Sequence, residues 1–142
     1  MPGHEPRHSC AARARLPLRL IVLALDIVPE DPGHPLELVT ALRCGLEAHS
    51  TGPHFDLVRE LTDASRGEVW ARWENGREPD GISILGDCPA DNGEPGPSND
   101  GCTLFAEHRG GHSFEFSDPE YDAIRTSPAY EELKEEIEKR LK

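Results

Sequence analysis

The sequence predicts an α+β fold, in which a mostly antiparallel sheet of about five strands carries helices on one face and a helical pair closes the C-terminus. Three observations predict it. Apolar and polar residues alternate from Val69 to Glu74, as in half-buried strands. Gly110-Gly111 interrupts an apolar pattern, as in a hairpin. Asp118-Pro119 and Ser127-Pro128 each combine a capping residue with a proline, as at helix starts.

The chain length fits one domain. At 142 residues it is long enough to bury roughly two thirds of the surface that its unfolded form exposes, so folding does not require a metal or a disulfide. We divide it into a flexible N-terminal arm, 1–16, and a single α+β domain, 17–142, with a surface loop at 86–101.

The elements of the first half are predicted from apolar runs and their spacing. Leu18 to Val28 is continuously apolar in its middle, which indicates a buried strand. Its uninterrupted run, Leu20 to Leu25, is shorter than the usual core of a signal peptide, so export is kept only as the alternative, and it is far too short for a membrane span. Apolar residues at helical spacing predict an amphipathic helix from Leu36 to His49 and a second helix from Phe55 to Ala64.

Strands dominate the next part of the prediction. The alternation from Val69 predicts one strand, Ile82 to Leu85 a second, and the Gly- and Pro-rich stretch 86–101 a long loop. The stretch Cys102–Phe116 is predicted to be a hairpin. With Arg109 included in its turn, the pairs across the hairpin are Leu104 with Phe116, Ala106 with Phe114 and His108 with His112.

Two helices end the chain. In the last helix, Tyr130, Leu133, Ile137 and Leu141 form one apolar stripe, and the charged positions pair at i,i+4. We interpret the charged face as solvated. The sharper alternative, a surface for a partner helix, requires the helix to project from the domain.

The segment from Asp118 to Leu133 resembles the closing unit of tetratricopeptide arrays. The likeness consists of the Asp-Pro start, the aromatic Tyr121, Arg125 and the second proline-capped helix with Tyr130. It covers about 16 of 142 residues, and no upstream repeat near a period of 34 accompanies it. The peptide-binding role of that family is therefore not transferred to this chain.

The charge is strongly and unevenly acidic. The net charge is −12, and residues 61–142 carry 9 Lys or Arg against 19 Asp or Glu. Such a field disfavours nucleic acids and anionic membranes, and it either attracts a basic partner or keeps the protein soluble. With no recognised catalytic motif, the leading hypothesis is a non-enzymatic interaction protein that binds a basic protein partner, of the inhibitor, immunity or antitoxin type. The predicted partner-binding residues are Trp70, Arg72, Asp87, Asp91, Glu94 and Asp100.

The alternative hypothesis is a small metal-dependent hydrolase. His108 and His112, facing each other across the hairpin, could hold a divalent metal such as zinc, with Glu107 completing the shell. We do not add Cys88 and Cys102 to this set of ligands. Six residues of strand would place Cys102 about 20 Å from His108.

The cysteines are compatible with a cytoplasmic protein. None has CxxC spacing, so neither a zinc knuckle nor a thioredoxin-like site is indicated. Cys88 and Cys102 flank the loop at 86–101 and are the best candidates for a disulfide, which would contribute about 3 kcal/mol in an oxidising setting. Reduced thiols are the favoured interpretation.

Overall fold

The computed structural model describes residues 7–28, 38–62 and 66–141. Within these ranges the chain forms five strands and three α-helices. In chain order they are β1 (Arg13–Arg15), α1 (Leu18–Asp26), β2 (Ala41–Arg43), β3 (His54–Glu60), β4 (Glu68–Trp73), β5 (Gly81–Leu85), α2 (Pro119–Arg125) and α3 (Pro128–Leu141). The α+β class is confirmed, although the arrangement of the sheet matches the prediction only roughly.

The strands form two antiparallel sheets rather than one. β3, β4 and β5 make a three-stranded sheet with β4 in the centre, and β1 pairs with β2. The predicted strands at β4 and β5 are confirmed, with Trp70 opposite Leu57 on one side and opposite Ser83 on the other. A register shift between Leu57 and Arg59 marks a bulge in β3.

The core lies on both faces of β4. Val69, Ala71 and Trp73 are buried on one face of the strand, and Trp70 is buried on the other, where its ring meets Phe105 edge-on at 5.1 Å between ring centroids. Because both faces of β4 are covered, this strand anchors the fold.

The predicted strand at Leu18–Val28 is wrong, since this segment contains helix α1. A short continuous apolar run is typical of a buried strand or of a buried helix, and periodicity alone does not separate them. The buried residues around this helix are Leu16, Leu20, Ala24 and Val28. Their spacing of four residues is helical, and Leu18 and Val22 between them remain exposed.

Both helices predicted between α1 and β4 are also wrong where the structure describes them. Residues 29–37, which include the start of the predicted Leu36–His49 helix, lie outside the described residues, as do 63–65 at the end of the second. The described parts are β2 and β3. Leu42, Cys44 and Leu46 are buried alternately, so the burial period here is two rather than 3.6.

The predicted hairpin at Cys102–Phe116 is wrong as well. Residues 102–112 form turns and irregular backbone, and Ser113–Glu115 is a single 3₁₀ turn. The first part of this stretch instead pairs with the chain after β5, since Cys88 N donates to Leu104 O and Cys102 N donates to Ala90 O, both at 2.9 Å. Glu107, with φ of 66°, lies where the backbone turns back.

Residues 7–16 and 86–101 are tied to the rest of the fold by backbone hydrogen bonds. Cys10 N donates to Leu46 O at 2.7 Å, and Leu16 N donates to Thr40 O at 2.8 Å. At the start of the loop at 86–101, Gly86 O accepts from Ala106 N at 2.8 Å. Both stretches thus have defined backbone partners.

The predicted start of α2 is confirmed. Asp118 caps the helix by accepting from Tyr121 N, and Pro119 is its first residue. The Asp118 carboxylate also receives both terminal nitrogens of Arg43, at 2.5 and 2.7 Å, and this pairing lowers the pKa of Asp118. The Arg43 guanidinium lies 4.5 Å from the centre of the Tyr121 ring. These contacts attach α2 to β2.

Among the described helices, none combines the length and the apolar character that crossing a bilayer needs.

Candidate metal centres

Eight cysteine and histidine side chains of the described residues gather into two clusters. In each cluster, four potential ligand atoms lie within 4.8 Å of one another. The N-terminal cluster consists of Cys10, Cys44, His49 and His54. The C-terminal cluster consists of Cys88, Cys102, His108 and His112. Each contains two thiols and two imidazoles.

Short strands position the N-terminal cluster. Cys44 directly follows β2, and His54 is the first residue of β3. Cys10 is brought beside them because the backbone of residues 10–12 pairs with that of residues 44–46, with Cys44 N donating to Ala12 O at 2.8 Å. Cys44 and His54 are buried, with exposed fractions of 0% and 3%, and Cys10 and His49 are half-buried.

Turns position the C-terminal cluster. Cys88 and Cys102 lie on the two paired segments that close the loop at 86–101, and the turn at Glu107 directs His108 back toward them. Cys102 is buried, and Cys88, His108 and His112 are half-buried. The Cys102 Sγ and His108 Nε2 atoms are 3.4 Å apart.

The four-ligand set that sequence reasoning rejected is therefore assembled in the structure. The rejection assumed a straight strand from Cys102 to His108, whereas that stretch turns at residues 106 and 107. All four cysteines of the chain are free, so the candidate pair Cys88 and Cys102 is not joined by a disulfide.

The distances within both clusters fit a tetrahedral zinc ion. In a tetrahedral centre with Zn–S of about 2.3 Å and Zn–N of about 2.0 Å, a sulfur and a nitrogen lie about 3.5 Å apart and two nitrogens about 3.3 Å apart. The sulfur–nitrogen distances are 3.4 Å for Cys10–His54, 3.7 Å for Cys44–His49 and 3.5 Å for Cys88–His112. The nitrogens of His108 and His112 are 3.3 Å apart.

The outer ring nitrogens support the same assignment. His54 donates through Nε2 to Asn75 Oδ1 at 2.5 Å, and His49 donates through Nδ1 to Thr51 O at 2.8 Å. In the C-terminal cluster, His108 donates through Nδ1 to Arg109 O at 3.1 Å. Each hydrogen bond fixes a tautomer that leaves a lone pair on the nitrogen facing the cluster, as in metal-binding histidines.

Backbone amides point at the cysteine sulfurs. The amide two residues after the cysteine hydrogen-bonds the sulfur at Cys44, Cys88 and Cys102. Such donors stabilise a thiolate, which is the form that binds metal. The chain thus supplies oriented amides to three of the four thiols.

The two clusters differ in how readily a thiol ionises without a cation. Burial raises the pKa of Cys44 to about 12, against hydrogen bonds from the amides of Phe55 and Leu46. Burial also opposes ionisation of Cys102, but the amides of Ser113 and Leu104, together with His112, outweigh it and lower the pKa to about 6. A divalent cation at either cluster would favour the thiolate directly.

The other predicted site residues are not members of either cluster. Trp70 is only 3% exposed, and Arg72, which follows it on the same face of β4, is half-buried and pairs with Asp80 at 3.1 Å. Glu107 is exposed, and the clusters that bring four ligands together do not include it. Four exposed acidic residues lie on the loop at 86–101: Asp87, Asp91, Glu94 and Asp100.

Sequence reasoning missed the N-terminal cluster entirely. One local signal was available, namely the regular spacing of Cys44, His49 and His54, which are five residues apart. The remaining ligand, Cys10, is 34 residues from Cys44 and comes close only through the pairing of residues 10–12 with 44–46.

No family model, curated protein or solved structure matches this chain.

Proposed function

We propose that this chain is a non-enzymatic zinc-binding interaction protein, in which two Cys₂His₂ zinc centres hold a small α+β fold together. The observation that carries the proposal is the presence of two separate sets of two thiols and two imidazoles at distances that suit a tetrahedral ion. Sulfur and imidazole ligands in a tetrahedron favour zinc over magnesium, calcium or manganese, which prefer oxygen.

The ligand count favours a structural role for zinc. Catalytic zinc sites keep one position open for water or substrate, whereas structural sites are closed by four protein ligands. The hydrolase alternative built on His108, His112 and Glu107 needs such an open position. Cys88 and Cys102 supply two further ligands there, so we assign this cluster to folding rather than to hydrolysis.

A count of bound metal tests the zinc proposal. Protein purified without chelator is expected to contain two zinc ions per chain by elemental analysis, and Cys44→Ser and Cys88→Ser are each expected to retain one. His8→Ala serves as the matched control, since His8 lies outside both clusters and should keep two. A metal-free wild-type protein that folds normally in zinc-supplemented medium would overturn the proposal.

The proposed partner remains a basic protein, of the kind that inhibitor, immunity and antitoxin proteins bind. The net charge of −12 supports this, as do the exposed carboxylates of the loop at 86–101. Zinc bound by Cys88 and Cys102 would clamp both ends of this loop and present Asp91, Glu94 and Asp100 on a fixed frame. Trp70 is buried, so the proposed contact relies on the carboxylates. Thiol ligands suit a reducing compartment, and we retain the cytoplasm as the proposed location.

Salt-dependent capture tests the partner proposal. The immobilised zinc-loaded protein is expected to retain basic proteins at low salt and release them at high salt. Glu94→Gln with Asp100→Asn should weaken retention more than Asp122→Asn with Glu132→Gln, which removes the same charge from exposed positions on the C-terminal helices. Equal weakening by both pairs would contradict a role for the loop and indicate a general effect of charge.

A further inference from the structure

Helix α3 exposes an apolar stripe. Every residue from Glu131 to Leu141 is exposed, and Leu133, Ile137 and Leu141 have exposed fractions of 60%, 56% and 82%. These residues recur at intervals of four, so they lie along one side of the helix. An exposed row of large apolar side chains is typical of a surface that another molecule covers.

The charges of the same helix are separated along its length. Residues 131–136 contain four Glu and one Lys, a net charge of −3. Residues 137–141 contain one Glu, one Lys and one Arg, a net charge of +1. The first half is therefore acidic and the second half basic.

We infer that α3 pairs with α3 of a second copy of this chain, in antiparallel orientation. A two-fold axis across the stripe places the acidic half of each helix opposite the basic half of the other. A parallel pair would instead place acidic against acidic and basic against basic. Antiparallel packing also opposes the two helix dipoles favourably. Charge complementarity thus favours a second copy of the chain as the molecule that covers the stripe, and it favours the antiparallel orientation of the two helices.

The size of the interface sets its strength. α3 has 14 residues and is about 21 Å long, and one helix pair of this length lies at the small end of specific protein interfaces. We therefore expect a weak dimer, whose population rises with protein concentration and falls with added salt. It does not depend on zinc, because none of the cluster residues lies on α3.

Sedimentation analysis across micromolar to millimolar concentration provides the test. The wild type is expected to shift from monomer to dimer, and Ile137→Asp is expected to remain monomeric while keeping the wild-type near-ultraviolet circular dichroism. A wild type that is monomeric throughout would overturn the inference. Dimerisation that persists in Ile137→Asp would also overturn it, because the contact would then lie elsewhere.

Charge reversal tests the direction of pairing. Glu131→Lys with Glu135→Lys makes the first half basic, and Lys139→Glu with Arg140→Glu makes the second half acidic. Each variant alone should lose self-association, whereas the mixture should form a heterodimer. The mixture retains every intrahelical repulsion of the single variants, so recovery must arise between chains. Stronger self-association by the first variant would indicate parallel helices and contradict the inference.

Discussion

Removal of zinc by a chelator is expected to abolish cooperative folding of the described β-sheet regions. A structural zinc site contributes on the order of 10–16 kcal/mol of apparent binding free energy at neutral pH, as much as the whole stability of an ordinary domain. The elements that the clusters connect are short, since β1 and β2 have three residues each. We therefore expect that, without the metal, the packing of these elements does not order the chain, contrary to the expectation from chain length alone.

Burial predicts which cluster contributes more to stability. In the N-terminal cluster Cys44 and His54 are buried, and His54 stacks near Trp73 of the core, with ring centroids 5.6 Å apart. The C-terminal cluster is more exposed and holds a surface loop. We therefore expect Cys44→Ser to lower the free energy of unfolding more than Cys88→Ser does.

The measurement compares near-ultraviolet circular dichroism and urea unfolding before and after chelation, with elemental analysis confirming metal loss. Restoring zinc should recover the native signal, whereas magnesium should not, because it prefers oxygen ligands. An unchanged urea midpoint in metal-free protein would show that the fold does not depend on the clusters.

The sequence predicted the elements whose signals are local. Four predicted features depend only on residues within one segment: the alternation around β4, the strand at β5 and the proline-assisted starts of α2 and α3. The structure has all four. The α1 segment failed because a run such as Leu20 to Leu25 is equally apolar on every side. Which residues of this run are buried depends on the elements that pack against it in the fold.

The metal clusters escaped prediction for a different physical reason. Ligand geometry depends on backbone direction at turns, and Gly110-Gly111 was assigned to a hairpin when the chain instead turns at residues 106 and 107. In the sequence, the hydrophobic pattern of Leu104, Ala106 and Phe114 is that of a strand. In the structure Leu104 and Phe105 are buried side by side, which a two-residue alternation does not produce.

The second large effect is expected at Gly67, immediately before β4. Its φ of 90° is in the left-handed region, and a Cβ built there would lie 2.2 Å from the Leu85 carbonyl oxygen and 2.9 Å from Gly86 Cα. Leu85 is the last residue of the paired strand β5, where it lies opposite Glu68, and Gly86 follows it, so these backbone atoms cannot move without disturbing the sheet. We expect Gly67→Ala to destabilise the zinc-loaded protein by about 3–5 kcal/mol, from backbone strain plus overpacking.

Gly76→Ala separates the two contributions to that loss. Gly76 also has a left-handed φ, 72°, but a Cβ there would meet nothing within 4 Å. Its replacement should therefore show the conformational cost alone, about 1–2 kcal/mol. Both variants would be unfolded in urea with zinc held in excess, so that metal loss does not enter the comparison. Equal destabilisation at the two positions would contradict the close approach of Gly67 to β5, because strain from the dihedral angle would then account for the whole effect.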